Sequence, residues 1–120
     1  MQATELVAIG LEMLRDDIVR ITKDLTEEEL YFRPRFDCNS IIWNAWHLTR
    51  EFDFHINSFT GRQHVWTEDG WYERFGREAD PTDRGLRHTP DQVTAFRAPD
   101  IQTVIDYYDA VLARAQEYLG

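Results

Sequence analysis

With 120 residues the chain has room for one domain, and its 42% hydrophobic and 13% aromatic content is too apolar for a disordered polypeptide. The formal net charge of −9 sets it against nucleic acid, whose binding rests on Lys and Arg neutralising phosphates. In chain order, Leu6, Ile9, Met13, Leu14, Ile18, Ile21 and Leu25 fall on a helical period with charged residues mostly between them. They predict a first long amphipathic helix over about residues 4–24. Thr26-Glu27-Glu28-Glu29 reads as a capping box that starts a single turn ending before Pro34.

Asn39 or Ser40 can cap a second long helix, residues 40–60, closed by Gly61 at the usual left-handed position. Its apolar residues, from Ile41 to Phe59, occupy more than one face, which predicts extensive burial and calls for more neighbours than two other helices supply. From Gly61 to Pro99 the period is lost and glycines and prolines recur, so the segment reads as a long crossover. Within it Thr89-Pro90-Asp91-Gln92 predicts a capped short helix running to about Phe96, and the remainder reads as loop. Asp100 caps a third long helix, residues 100–119, on the period of Ile101, Val104, Ile105, Tyr108, Val111, Leu112, Ala115 and Leu119. Strand signals are lacking, so the fold class is all-α, one helical domain over residues 1–120.

No apolar run approaches the ~20 residues that span a bilayer, and the first residues lack a basic region followed by an apolar one. A single cysteine, Cys38, argues against a disulfide framework. These features make a cytoplasmic setting the expectation, with no membrane or nucleic-acid partner.

His47, Glu51 and His55 stand four residues apart, one above another on a helix. Imidazole and carboxylate at that spacing can reach one divalent cation. His47 is the leading candidate ligand, and Glu51 and His55 are weaker ones, because three groups on one straight helix converge poorly. The competing readings stay open: His47, between Trp46 and Leu48, can be a core histidine bonded to a carbonyl, and Glu51 can form a solvated pair with Arg50. Trp43, Trp66 and Trp71 are candidate substrate-pocket residues; the aromatic run Trp66 to Phe75 can line a pocket mouth or simply tie the crossover to the helices. Cys38 precedes a helix N-terminus, a position that favours thiolate, but no base adjoins it in sequence.

The run Asn39-Ser40-Ile41-Ile42-Trp43-Asn44-Ala45-Trp46-His47-Leu48-Thr49-Arg50 resembles the second-helix motif of the DinB-like superfamily, which includes mycothiol-dependent maleylpyruvate isomerases and related thiol S-transferases. Asp53-Phe54-His55, Gly61-Arg62-Gln63, Asp69-Gly70-Trp71, Glu73-Arg74-Phe75-Gly76 and His88-Thr89-Pro90-Asp91-Gln92-Val93 resemble a bacterial branch of that group. The resemblance implies a four-helix bundle with a long crossover after the second helix. It implies a divalent metal, zinc or nickel, on the second-helix histidine, here His47, and a low-molecular-weight thiol as a possible cofactor. In the family the remaining ligands come from a fourth helix that has no counterpart in this sequence, so the domain reads as C-terminally incomplete.

The function expected on this basis is a metal-dependent thiol transferase or hydrolase acting on a small molecule. Its catalytic residues are not legible, and its alternative is a non-catalytic bundle serving interaction or stress response. An apolar face left without a fourth helix further predicts a homodimer, with the first or the third long helix as the contact.

Overall fold

A computed structural model describes residues 2–119, and among them there are seven helices and no strand. The three long ones are α1 (Ala3–Thr22), α3 (Ile41–Thr60) and α7 (Ile101–Leu119). Between them lie the short helices α2 (Glu27–Tyr31), α4 (Val65–Glu68), α5 (Trp71–Arg74) and α6 (Pro90–Ala95).

The ends of these helices follow local chemistry. Thr26 and Glu29 form the reciprocal capping box that opens α2, and Thr89 with Gln92 does the same for α6, with Pro90 in its first turn. Ser40, rather than Asn39, caps α3 by accepting from the Trp43 amide at 3.1 Å. Gly61 ends α3 at φ 76°, where the missing Cβ removes the penalty of a left-handed residue. Asp100 accepts from the Thr103 amide at 2.7 Å and so opens α7. The expected loop between Gly61 and the capped helix contains two further single-turn helices, α4 and α5, too short to show a period in sequence.

α7 is the central element and packs along both α1 and α3, whereas α1 and α3 form no extended seam with each other. The core is therefore lopsided. It gathers Ile42, Trp43 and Trp46 from α3, Val65, Trp66, Trp71 and Phe75 from the crossover, Val93 and Phe96 around α6, and Val104, Tyr107 and Val111 from α7. α1 fully buries only Leu11 and Thr22. Its link to α7 includes three polar contacts: Arg15 pairs with Asp109 at 2.9 Å, the Tyr108 hydroxyl donates to the Leu11 carbonyl at 2.7 Å, and Gln116 donates to Glu12 at 2.7 Å. The broad burial expected for α3 holds toward the crossover and α7; on its other face Ile41 and Phe59 remain exposed.

Candidate functional site

α3 carries two adjacent polar groupings. The first is wholly interior. Trp46, Arg50, Asp53 and Asn57 recur every three or four residues, so they line one face of α3, and all four are enclosed. The Asp53 carboxylate accepts from Asn57 Nδ2 at 2.6 Å, the Val65 amide at 2.9 Å, the Trp66 amide at 2.8 Å, the Tyr107 hydroxyl at 2.6 Å and Arg50 Nη1 at 3.3 Å. Val65 and Trp66 open α4, where backbone amides lack partners within the helix. Arg50 donates to the Tyr107 hydroxyl at 3.2 Å and, on its outer side, to the carbonyls of Asp83 at 2.7 Å and Pro81 at 2.8 Å. Its guanidinium also lies 4.9 Å from the Trp66 ring centroid. Burial first, and then the Asp53 charge, pushes the Tyr107 phenol well above its usual range. With the Arg50 and Asp53 charges matched, this network fixes the crossover to α3 and α7, while Trp46 Nε1, Asn57 Oδ1 and Trp66 Nε1 are buried without a partner. The alternative reading of Glu51 as a solvated partner of Arg50 does not hold: Arg50 is interior and pairs with Asp53, and Glu51 pairs with Arg84.

The second grouping lies at the edge of α3 and contains His47, Glu51 and His55. The crossover reaches this edge because Gly85, at φ 83°, comes so close that a Cβ there would sit 2.7 Å from Trp43 and 3.1 Å from His47 Nδ1. That approach brings the Arg84 carbonyl onto His47 Nδ1. A carbonyl only accepts, so Nδ1 carries the proton and the lone pair stands on Nε2. Trp43 stacks on the imidazole with ring centroids 4.8 Å apart. Glu51 Oε2 accepts from Arg84 at 2.9 Å and pairs with His55 Nε2 at 3.0 Å. Glu51 Oε1 is buried with no hydrogen-bond partner, 3.9 Å from His47 Nδ1. His55 itself is exposed.

The two competing readings of His47 thus meet: it is bonded to a carbonyl, and it still presents a free nitrogen. Imidazole nitrogen and carboxylate oxygen together suit a borderline divalent cation. Glu51 Oε1 lies nearest the protonated Nδ1 rather than the free Nε2, and among the described residues no three His, Cys, Asp or Glu side chains gather to hold a metal. His88, which sequence reasoning passed over, joins the same aromatic patch: its Nδ1 accepts from Trp43 Nε1 at 3.3 Å, and burial lowers its pKa.

Of the candidate pocket residues, Trp43 flanks His47 as its stacking partner. Trp66 is completely enclosed, and Trp71 nearly so against Tyr107, at 5.5 Å between ring centroids. Their rings tie the crossover to α7. Cys38 is half-buried just before α3, and its carbonyl accepts from Arg33 at 2.6 Å. A polar hollow of about 470 Å³ on the crossover is bounded by Arg77 and Asp83, which already pair at 2.6 Å.

Three long helices, with a crossover strapped to α3 by interior polar groups, define a helical-bundle protein with an edge site rather than a central cleft. The chain belongs to the DinB superfamily, whose family model matches residues 11–120. The crystal structure of a conserved protein of locus from Enterococcus faecalis shares the fold, with a TM-score of 0.86 at 24% identity over 99% of this chain and 70% of that one. No curated protein matches. Among the described residues no helix is long and apolar enough to cross a membrane.

Proposed function

We propose that the protein is a divalent-metal-dependent enzyme of the thiol-transfer or hydrolytic kind, acting on a small molecule at the His47 edge of α3. One observation carries this reading. His47 is oriented by the Arg84 carbonyl, so that Nε2 is free, and Glu51 Oε1, which lies nearest the proton-bearing Nδ1 at 3.9 Å, is buried without a partner. A second hydrogen bond that fixes the tautomer is the usual support of a metal-binding histidine. A zinc or nickel ion there would supply Lewis acidity, the common means of making a thiol or water nucleophilic near neutral pH.

The chain's own residues have separate tasks. Trp43 holds the imidazole plane by stacking. Arg84 restrains Glu51 through Oε2 and leaves Oε1 available. His55, exposed and paired with Glu51, can take up or release a proton at the rim. A metal held there would need donors beyond His47 and Glu51, and among the described residues no third His, Cys, Asp or Glu gathers with them. His88 is a poor one in its observed state, because its Nδ1 is already an acceptor for Trp43.

Titration of the purified chain with zinc and nickel, followed by calorimetry and elemental analysis, tests the proposal. Stoichiometric binding that His47→Ala abolishes, and that Glu51→Gln weakens about tenfold, is the expected result. Circular dichroism of each variant verifies the fold. Metal content unchanged by His47→Ala sinks the ligand assignment. No binding by the parent chain leaves the non-catalytic interaction bundle as the reading.

A further inference from the structure

The crossover meets the His47 edge through one tight turn, Gly85-Leu86-Arg87-His88, closed by the His88 amide donating to the Gly85 carbonyl at 3.1 Å. Both ends of the turn are fixed on the aromatic patch. Gly85 abuts Trp43 and His47, and at the other end His88 Nδ1 accepts from Trp43 Nε1 at 3.3 Å. A neutral imidazole that accepts through Nδ1 carries its proton on Nε2. That Nε2–H has no partner among the described residues and is open to solvent.

The middle of the turn is strained. Arg87 has φ 62°, and among the described residues it is the one residue other than glycine with a positive φ. A Cβ is disfavoured in that conformation, and glycine would adopt it freely. Every other arginine among the described residues pairs with a carboxylate, donates to a backbone carbonyl or lies on an aromatic ring. Arg87 is exposed and does none of these. Acidic residues outnumber basic ones by 22 to 13 in this chain, so carboxylates are not scarce; the turn holds Arg87 away from them. Leu86 beside it is 53% exposed. The Cα atoms of Gly85 and Arg87 are at most about 7 Å apart, a gap that an arginine side chain can span. A free cation, a free imidazole N–H and an apolar side chain therefore adjoin the edge where His47 Nε2 stands open.

From these features we infer that the Gly85–His88 turn is the recognition loop of the His47 edge, and that the small molecule it takes carries an oxyanion group, a carboxylate or a phosphate, held by Arg87 and His88 Nε2–H. Guanidinium binds either group through paired N–H donors, and a neutral imidazole adds a donor without a second charge. Leu86 covers the apolar body of the ligand. Backbone strain retained at a ligand clamp is a common exchange of stability for binding. That the anion belongs to a substrate rests on the proposed role of His47 as the reacting edge; the anion site itself stands without metal.

Titration of the metal-free chain with sodium benzoate and, separately, with inorganic phosphate, followed by NMR of the histidine rings and arginine side chains, tests the inference. Benzamide, similar in shape but uncharged, is the control. Saturable shifts at Arg87, His88 and His47 are expected from at least one anion and not from benzamide, and the tighter anion assigns the group as carboxylate or phosphate. Arg87→Gln is expected to weaken binding about tenfold. Arg62→Gln removes the same charge from the exposed pair with Glu117 and should leave affinity unchanged. Arg87→Gly should bind as poorly as Arg87→Gln without a lower urea midpoint, since relief of strain offsets the greater freedom of unfolded glycine. Absence of a saturable shift with both anions overturns the proposal. So does an affinity that Arg87→Gln leaves unchanged, an equal response to benzamide, or a shift at Arg87 that leaves both histidines unmoved. Zinc and nickel binding is read separately: its failure would remove the catalytic role of His47 and leave the anion site in place.

Discussion

The two flanks of α3 put similar residues to opposite uses. Toward the crossover, charged Arg50 and Asp53 are interior and saturated with partners, while on the other flank Ile41 and Phe59 lie open. The difference shows that residence in this core is set by what the crossover covers rather than by polarity alone. A buried charge pair survives because backbone groups of Pro81, Asp83, Val65 and Trp66 complete its hydrogen bonds. An apolar side chain stays exposed where no element arrives to cover it.

Substitutions that strike one flank and spare the other sharpen this contrast. The largest effect is expected for Asp53→Ala. It leaves Arg50 unpaired in the interior and two helix-opening amides without an acceptor, at a cost of about 3–5 kcal/mol. Urea unfolding should show the loss, and a cost below 1 kcal/mol would mean that the network is not what holds the crossover. Gly85→Ala comes next, at about 2 kcal/mol or more, because its left-handed φ and the 2.7 Å approach to Trp43 both oppose a Cβ. The same change should loosen the Arg84 contact with His47, visible as a shift of the His47 ring resonances.

A smaller effect comes from pH. Burial first, partly opposed by the Asp53 charge, lowers the His64 pKa below its ordinary 6.5, and its Nδ1 is interior without a partner. The unfolded chain therefore binds a proton that the native site resists. This stabilising term is full above about pH 6.5 and is lost as pH falls through that value toward the lower native one. Urea midpoints measured between pH 7.5 and 5.5 should decline, and His64→Asn should flatten the decline. Smallest of all is Met13→Gln on the open flank, expected within about 0.5 kcal/mol when the chain is dilute enough to be monomeric. A larger loss there would make the two flanks alike.

Much of the fold was legible because its signals are local. Thr26, Thr89 with Pro90, Gly61 and Asp100 each mark a helix end within four residues, and the long periods gave the three helices, with α1 expected over 4–24 and found at Ala3–Thr22. α4 and α5 escaped because four residues cannot display a period. The interior charges escaped for another reason: Arg50 beside Glu51 reads as a solvated pair unless the spacing of Trp46, Arg50, Asp53 and Asn57 is weighed against the period of the helix. Of the candidate site, His47 and Glu51 could be singled out from their spacing. Arg84, which orients both, is 33 residues from Glu51, and no local pattern announces a contact that Gly85 makes possible.

The amides of Val65 and Trp66 carry one more consequence. Both donate to Asp53, so neither can meet solvent deuterium unless α3, α7 and the crossover separate. α4 is a single turn and would exchange its amides within seconds as an isolated peptide. Here its first two amides should rank among the slowest in the chain, opening only with global unfolding, while much longer α1 opens in smaller, earlier fluctuations.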